Sequence, residues 1–202
     1  MNKKYGYVRV AASVPELKVA NVEFNVKEII NEIKKLSKEG VQVVSFPELS
    51  ITGYTCGDLF KQEFLINKAL EGLNTIVKET SKLDIVSIVG LPVRVNNKLF
   101  DCAVVLSKGQ ILGVVPKTYL DNSKEEGRWF NTGDLINTKV INLLGNDVVV
   151  GNDLIFRDTL DNRMAFGIEV GEELNNLNNP GINLALGGAT MIFNLAASNE
   201  LI

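Results

Sequence analysis

The chain has 202 residues, 46% of them hydrophobic, with 24 acidic and 21 basic side chains, a formal net charge of −3 and no histidine. One globular domain of this length can bury a sizeable core, and the slightly acidic balance leaves no broad positive field for gripping nucleic acid. Without histidine the usual zinc cage and every Ser-His or Cys-His relay are excluded, and Cys56 and Cys102 are too few and too far apart for a disulfide framework or a CxxC metal site.

The amino terminus, Met1 to Gly6, lacks the apolar run of a signal peptide, and no stretch approaches the ~18 apolar residues that cross a bilayer. A soluble, reducing, cytoplasmic setting without membrane or nucleic-acid partners is therefore expected. Tyr7 to Ser13 predicts a first strand, closed before Pro15. Val22, Val26, Ile29, Ile30, Ile33 and Leu36 recur at helical spacing, and Gly40 follows as a C-cap signal. Val41 to Phe46, closed by Pro47, predicts a strand buried in a sheet. Ile66, Ala69, Leu70, Leu73, Ile76 and Val77 mark a second helix, which leads to a strand at Ile85 to Gly90.

The pattern then changes. Val93 to Val95, Lys98 to Leu106 and Gln110 to Pro116, separated by Asn96-Asn97 and Lys108-Gly109 turns, predict antiparallel neighbours and hence a mixed sheet. Tyr119 to Asp134 is polar and irregular, the composition of a long surface loop. Strand-like runs at Asp147 to Gly151 and Met164 to Ile168, a turn at Gly171-Glu172-Glu173, an Asn-rich stretch from Asn175 to Asn179, a short helix opened by Pro180 and a strand from Met191 to Leu195 complete the order. No repeat or linker divides the chain.

Three polar features directly follow apolar strands, where open α/β folds gather ligands. They are Glu48, Lys117 and the Gly171-Glu172-Glu173 turn. In a dry pocket a carboxylate can take a proton while an ammonium stabilises a developing oxyanion, but the pair supplies no nucleophile for acyl transfer. Glu48 could equally cap its own turn, and Lys117 could be an ordinary surface lysine. Trp129 and Phe130 could line a substrate mouth or simply anchor the long loop.

The run from Phe46 through Glu48, Gly53, Tyr54 and Cys56 to Phe60 resembles the signature of the carbon–nitrogen hydrolase (nitrilase) superfamily, and most resembles the glutamine-amidase domains of glutamine-dependent NAD synthetases. Tyr7 to Ala12, Val114 to Leu120 and Asn194 to Glu200 agree with it in collinear order. The resemblance implies an α/β fold, an αββα four-layer sandwich of mixed sheets flanked by helices, incomplete at its carboxy-terminal end. It implies one glutamine-amidase domain over residues 1–202, with the family's remaining strands and a glutamine-carboxylate-binding arginine expected beyond Ile202. No GxxxxGK phosphate loop occurs, so ATP and magnesium are expected only in a separate synthetase domain that would accept the ammonia.

The resemblance also implies a Glu-Lys-Cys mechanism. Glu48 matches the general base, Lys117 the lysine that stabilises the tetrahedral intermediate, Glu126 a second glutamate that helps position substrate, and Ser198 a contact to the amino-acid end of glutamine. The family's aromatic contact to glutamine falls on Ser123 or is absent. The departure lies at the elbow: the cysteine position of Glu169 to Asn175 holds Gly171, and Glu172 retains only a backbone N–H to offer an oxyanion. Glycine suits a strained elbow, yet losing a nucleophile costs on the order of a million-fold in turnover in a well-studied protease. Three functions stay open: an inactive glutamine-amidase portion, a non-catalytic binding or assembly module, and an amidase for another small amide. A homo-oligomer is expected in each case.

Overall fold

The computed structural model of the chain describes residues 7–159 and 164–198. Helix α1, Val22–Lys38, begins where the Asn21 side chain accepts the Phe24 backbone N–H, and it buries the predicted stripe of Val22, Val26, Ile29, Ile30 and Ile33. Glu39 caps it and Gly40 follows with φ +77°. Helix α2, Glu63–Glu79, buries Leu65, Ile66, Ala69, Leu73 and Ile76, and packs beside α1 with Gly72 in contact range of Val22 and Val26.

Strands β1 (Val10–Ala12), β2 (Val43–Ser45), β3 (Val86–Val95), β4 (Lys98–Ser107) and β5 (Gln110–Pro116) form one sheet in that order. The β1–β2 and β2–β3 pairs are parallel, whereas β3–β4 and β4–β5 are antiparallel, so the sheet is mixed as expected. Strands β1 and β2 are shorter than the predicted Tyr7–Ser13 and Val41–Phe46. Strand β3 runs unbroken through Pro92, where two separate elements were expected. Its β2 partner stops opposite Ile88, so no second neighbour needs the N–H that Pro92 lacks.

A two-stranded ribbon follows, β6 (Val140–Leu143) against β7 (Asn146–Val149). The third sheet has the order β10-β9-β8, from β8 (Phe156–Arg157), β9 (Ala165–Val170) and β10 (Met191–Leu195). Helix α3, Pro180–Leu186, is capped by the Asn179 side chain. The long loop is punctuated by short 3-10 turns at Asn122–Lys124, Glu126–Arg128 and Gly133–Leu135.

Side-chain alternation makes the layers. On one face of the large sheet Cys102, Val104 and Leu106 pack with the α1 and α2 stripes. On the other, Val43, Ile88, Ala103, Val105 and Val115 meet Phe166, Ile168, Val170, Phe193 and Leu195 of the third sheet. Behind that sheet, Leu184 of α3 lies so close to Gly167 that an added Cβ would sit 2.7 Å from it. The order is helices, sheet, sheet, helix, the expected αββα arrangement. Among the described residues no helix is long and apolar enough to cross a membrane.

Candidate active site

Glu48 leaves β2 through a tight turn. Phe46 N–H still bonds Ile88 O at 2.9 Å, Ser50 N–H reaches back to Pro47 O at 3.2 Å, and Leu49 adopts φ +51°. The turn leans on β3 at Gly90, where an added Cβ would lie 2.7 Å from Pro47 O and 2.9 Å from the Glu48 carbonyl carbon. Only glycine permits that approach. The Glu48 carboxylate does not cap its own turn: Oε1 receives the Lys117 ammonium at 2.6 Å and Oε2 the Ala197 N–H at 3.2 Å.

Lys117 directly follows β5, its N–H bonded to Asp101 O at 2.8 Å and its carbonyl bonded by Gly133 N–H at 2.8 Å. It is no surface lysine, being only 1% exposed. Glu126 arrives from the long loop, after Glu125 at φ +55°. Its Oε1 accepts Lys117 Nζ at 2.8 Å and Tyr54 Oη at 2.5 Å, and its Oε2 accepts the Asp121 N–H at 2.7 Å.

Gly171 ends β9 with φ +67°, opening the 3-10 turn Gly171–Asn175. An added Cβ there would collide with Lys117 Nζ, and would stand 2.6 Å from Lys117 Cε and 2.8 Å from Glu48 Oε1. The three positions picked out in the sequence therefore converge on one point. Glu172 and Ser198 are brought together at the rim, Ser198 Oγ donating to Glu172 Oε1 at 2.5 Å beside Lys124 Nζ at 3.3 Å. The Ser198 hydroxyl and Lys124 hold the Glu172 carboxyl below the usual carboxylate range. Of the Asn194–Glu200 motif, Asn199 and Glu200 lie outside the described residues.

Burial alone would push the Lys117 amine down, but the facing Glu48 and Glu126 carboxylates outweigh it and hold the ammonium charged well above neutrality. Burial and Glu126 push the Tyr54 hydroxyl strongly up, so it stays a neutral donor. Among the described residues the arrangement offers a buried carboxylate beside a fixed cation, and position 171 brings no side chain to them. Neither cysteine takes that place. Burial pushes both thiols up, Cys56 Sγ donates to Thr52 O at 3.2 Å, and Cys102 points into the helix-side core.

Trp129 and Phe130 anchor the loop: Phe130 packs 4.8 Å from Phe60, and Trp129 Nε1 donates to Asp58 Oδ1 at 2.9 Å. Ser123 turns back onto Asp121 Oδ1. Tyr54, Asp101 and Glu173 complete the surroundings: Glu173 belongs to the turn picked out in the sequence, whereas Asp101 was not singled out there. Tyr54 stood inside the recognised signature, but nothing in the letters indicates which acid it meets.

A carbon-nitrogen hydrolase family model matches residues 9–199. The chain is similar to the glutamine-dependent NAD(+) synthetase of Mycobacterium tuberculosis, 32% identical over 197 residues that cover 96% of this chain and 29% of that protein. The human glutamine-dependent NAD(+) synthetase is 28% identical over 192 residues, covering 89% of this chain and 26% of its own length. Among solved structures, that of a glutamine-dependent NAD(+) synthetase from Cytophaga hutchinsonii superimposes with a TM-score of 0.81 at 26% identity, covering 95% of this chain and 30% of that one. An amidase from Nesterenkonia sp. shares the fold, with a TM-score of 0.73 at 16% identity over 96% of this chain and 66% of its own. The chain spans under a third of the length of the synthetases it matches.

Proposed function

The chain belongs to the carbon–nitrogen hydrolase family, and on that premise we propose that it is a glutamine-amidase unit of the NAD-synthetase type whose nucleophile position is vacant. The observation that carries this is the convergence of Glu48, Lys117 and the Cβ direction of Gly171 on one point. With a cysteine at 171, its thiolate would attack the side-chain amide of glutamine, Glu48 would take the thiol proton and return it to the leaving ammonia, and Lys117 would stabilise the oxyanion. Glu126 orients Lys117, while Glu172 and Ser198 offer polar contacts at the rim. The ammonia would pass to a synthetase unit, where ATP and magnesium belong.

Without a thiolate there is no acyl intermediate, so this chain turns over little or no glutamine. The test is ammonia release from glutamine by the chain and by Gly171→Cys. Activity appearing only in the variant supports the assignment, whereas equal release by both refutes it.

A second function, a non-catalytic module of the family, is favoured by the same contact seen from the lysine: the Lys117 ammonium already stands where a Cβ at 171 would be placed. Calorimetric titration separates the two: glutamine binding without turnover fits a vacant amidase, and no binding of glutamine or other small amides fits the module.

A further inference from the structure

Asp101 is the acid that this arrangement leaves unused. It lies on β4 opposite Pro92, on the alternation of Ala103 and Val105, and so on the face between the two sheets. It is 2% exposed, and its buried Oδ1 finds no donor among the described residues. The backbone of the same residue holds Lys117, whose N–H bonds Asp101 O at 2.8 Å.

The Asp101 carboxyl meets the Glu48 carboxyl within hydrogen-bonding distance. Two ionised carboxylates have no hydrogen to share, so one of the pair must carry a proton. The distribution of donors decides which. Glu48 receives the Lys117 ammonium on one oxygen and the Ala197 N–H on the other, so both of its oxygens already serve as acceptors. Asp101 Oδ1 receives none. We propose that Asp101 is a neutral carboxylic acid in the folded chain, donating its O–H to the Glu48 carboxylate and so acting as a positioning residue for it.

The groups facing Asp101 agree. Burial and the Glu48 carboxylate push the Asp101 carboxyl well above the usual carboxylate pKa range, Glu126 adds to the rise, and Lys117 alone opposes it. Tyr54 and Cys102, the other titratable neighbours, are held neutral by burial. Glu48 is then fixed by three donors from three elements: Lys117 after β5, Ala197 after β10 and Asp101 on β4. The protonation state of Asp101 is independent of the activity proposed above, while its positioning role rests on Glu48 being the base.

Carbon-13 NMR of the unsubstituted chain with labelled aspartate, assigned through the Asp101 backbone, tests the first part. Asp101 should keep the carboxylic-acid chemical shift at pH 7, where exposed aspartates have ionised near their usual ~3.9. Ionisation together with those residues overturns the proposal. The second part is read in the Gly171→Cys background once that variant hydrolyses glutamine. Asp101→Asn keeps an N–H donor and should retain most of kcat, whereas Asp101→Val should lose on the order of 10- to 100-fold in kcat with KM little changed. Equal kcat in the two variants overturns the positioning role, and the NMR result stands whether or not Gly171→Cys is active.

Discussion

Glu173, two residues beyond the elbow glycine, accepts the backbone N–H of Thr118 on its carboxylate and so ties the end of β9 to the end of β5. The same oxygen takes Tyr119 N–H at 3.2 Å, and the other takes Val170 N–H at 2.9 Å. This clamp sits one residue from Lys117 on one side and adjoins Gly171 on the other, so it sets the distance between them.

Replacing Glu173 by glutamine turns one of those acceptor oxygens into an NH2 donor facing a backbone donor. The expected cost is about 1–3 kcal/mol, that of leaving buried N–H groups unpaired. Urea denaturation of the chain and of Glu173→Gln measures it. A difference within error would mean that the strand ends hold their spacing without the clamp.

Gly171→Ala should be costly for two separable reasons. A residue other than glycine at φ +67° bears about 1–2 kcal/mol of strain, and the new methyl must push Lys117 off Glu48. Gly40 provides the control, with φ +77° and nothing within 4 Å of an added Cβ. Gly40→Ala should therefore show the strain alone, and Gly171→Ala should exceed it. Equal losses would indicate that the Lys117 side chain moves aside freely.

Glu48 and Lys117 were legible because each directly follows an apolar strand, and the mixed sheet because its turns and apolar runs alternate, whereas the αββα layering came only from the resemblance to the family. Asp101 was hidden by the same regularity, as one acid inside an apolar strand whose charge partners arrive from 53 and 16 residues away in the chain. Tyr54 and Glu126 meet across 72 residues, a pairing that only the folded loop creates. The four-residue β6 and the two-residue β8 have too little sequence to establish a period, and both exist because a neighbouring strand supplies their hydrogen bonds. The elbow was read as a turn whose glycine suits a strained backbone, and Gly171 there has φ +67°.

Tyr54→Phe removes one hydroxyl donor from the Glu126 carboxylate at 2.5 Å. Hydrogen bonds to charged groups contribute about 1.5–3 kcal/mol, and Glu126 is 3% exposed with little water to replace the loss. Stability in urea should fall by that amount, with the urea slope unchanged. The loop from Tyr119 to Asp134 should also exchange its amide hydrogens faster, since Glu126 Oε2 holds Asp121 N–H. Unchanged exchange would detach the loop's order from Glu126.

Lys117→Met tests the centre itself. Removing the ammonium leaves Glu48 and Glu126 buried without their cation, and breaking a buried pair from one side costs about 3–5 kcal/mol at neutral pH. The surrounding carboxyls raise the folded-state value for Lys117 above its unfolded one, so its stabilisation is complete below about pH 10.4 and is lost only as pH rises beyond that. Denaturation curves for both chains at neutral and alkaline pH should therefore differ fully at neutral pH and draw together only as pH rises beyond that value. A difference constant across pH would mean that Lys117 supports the fold through its aliphatic stem alone.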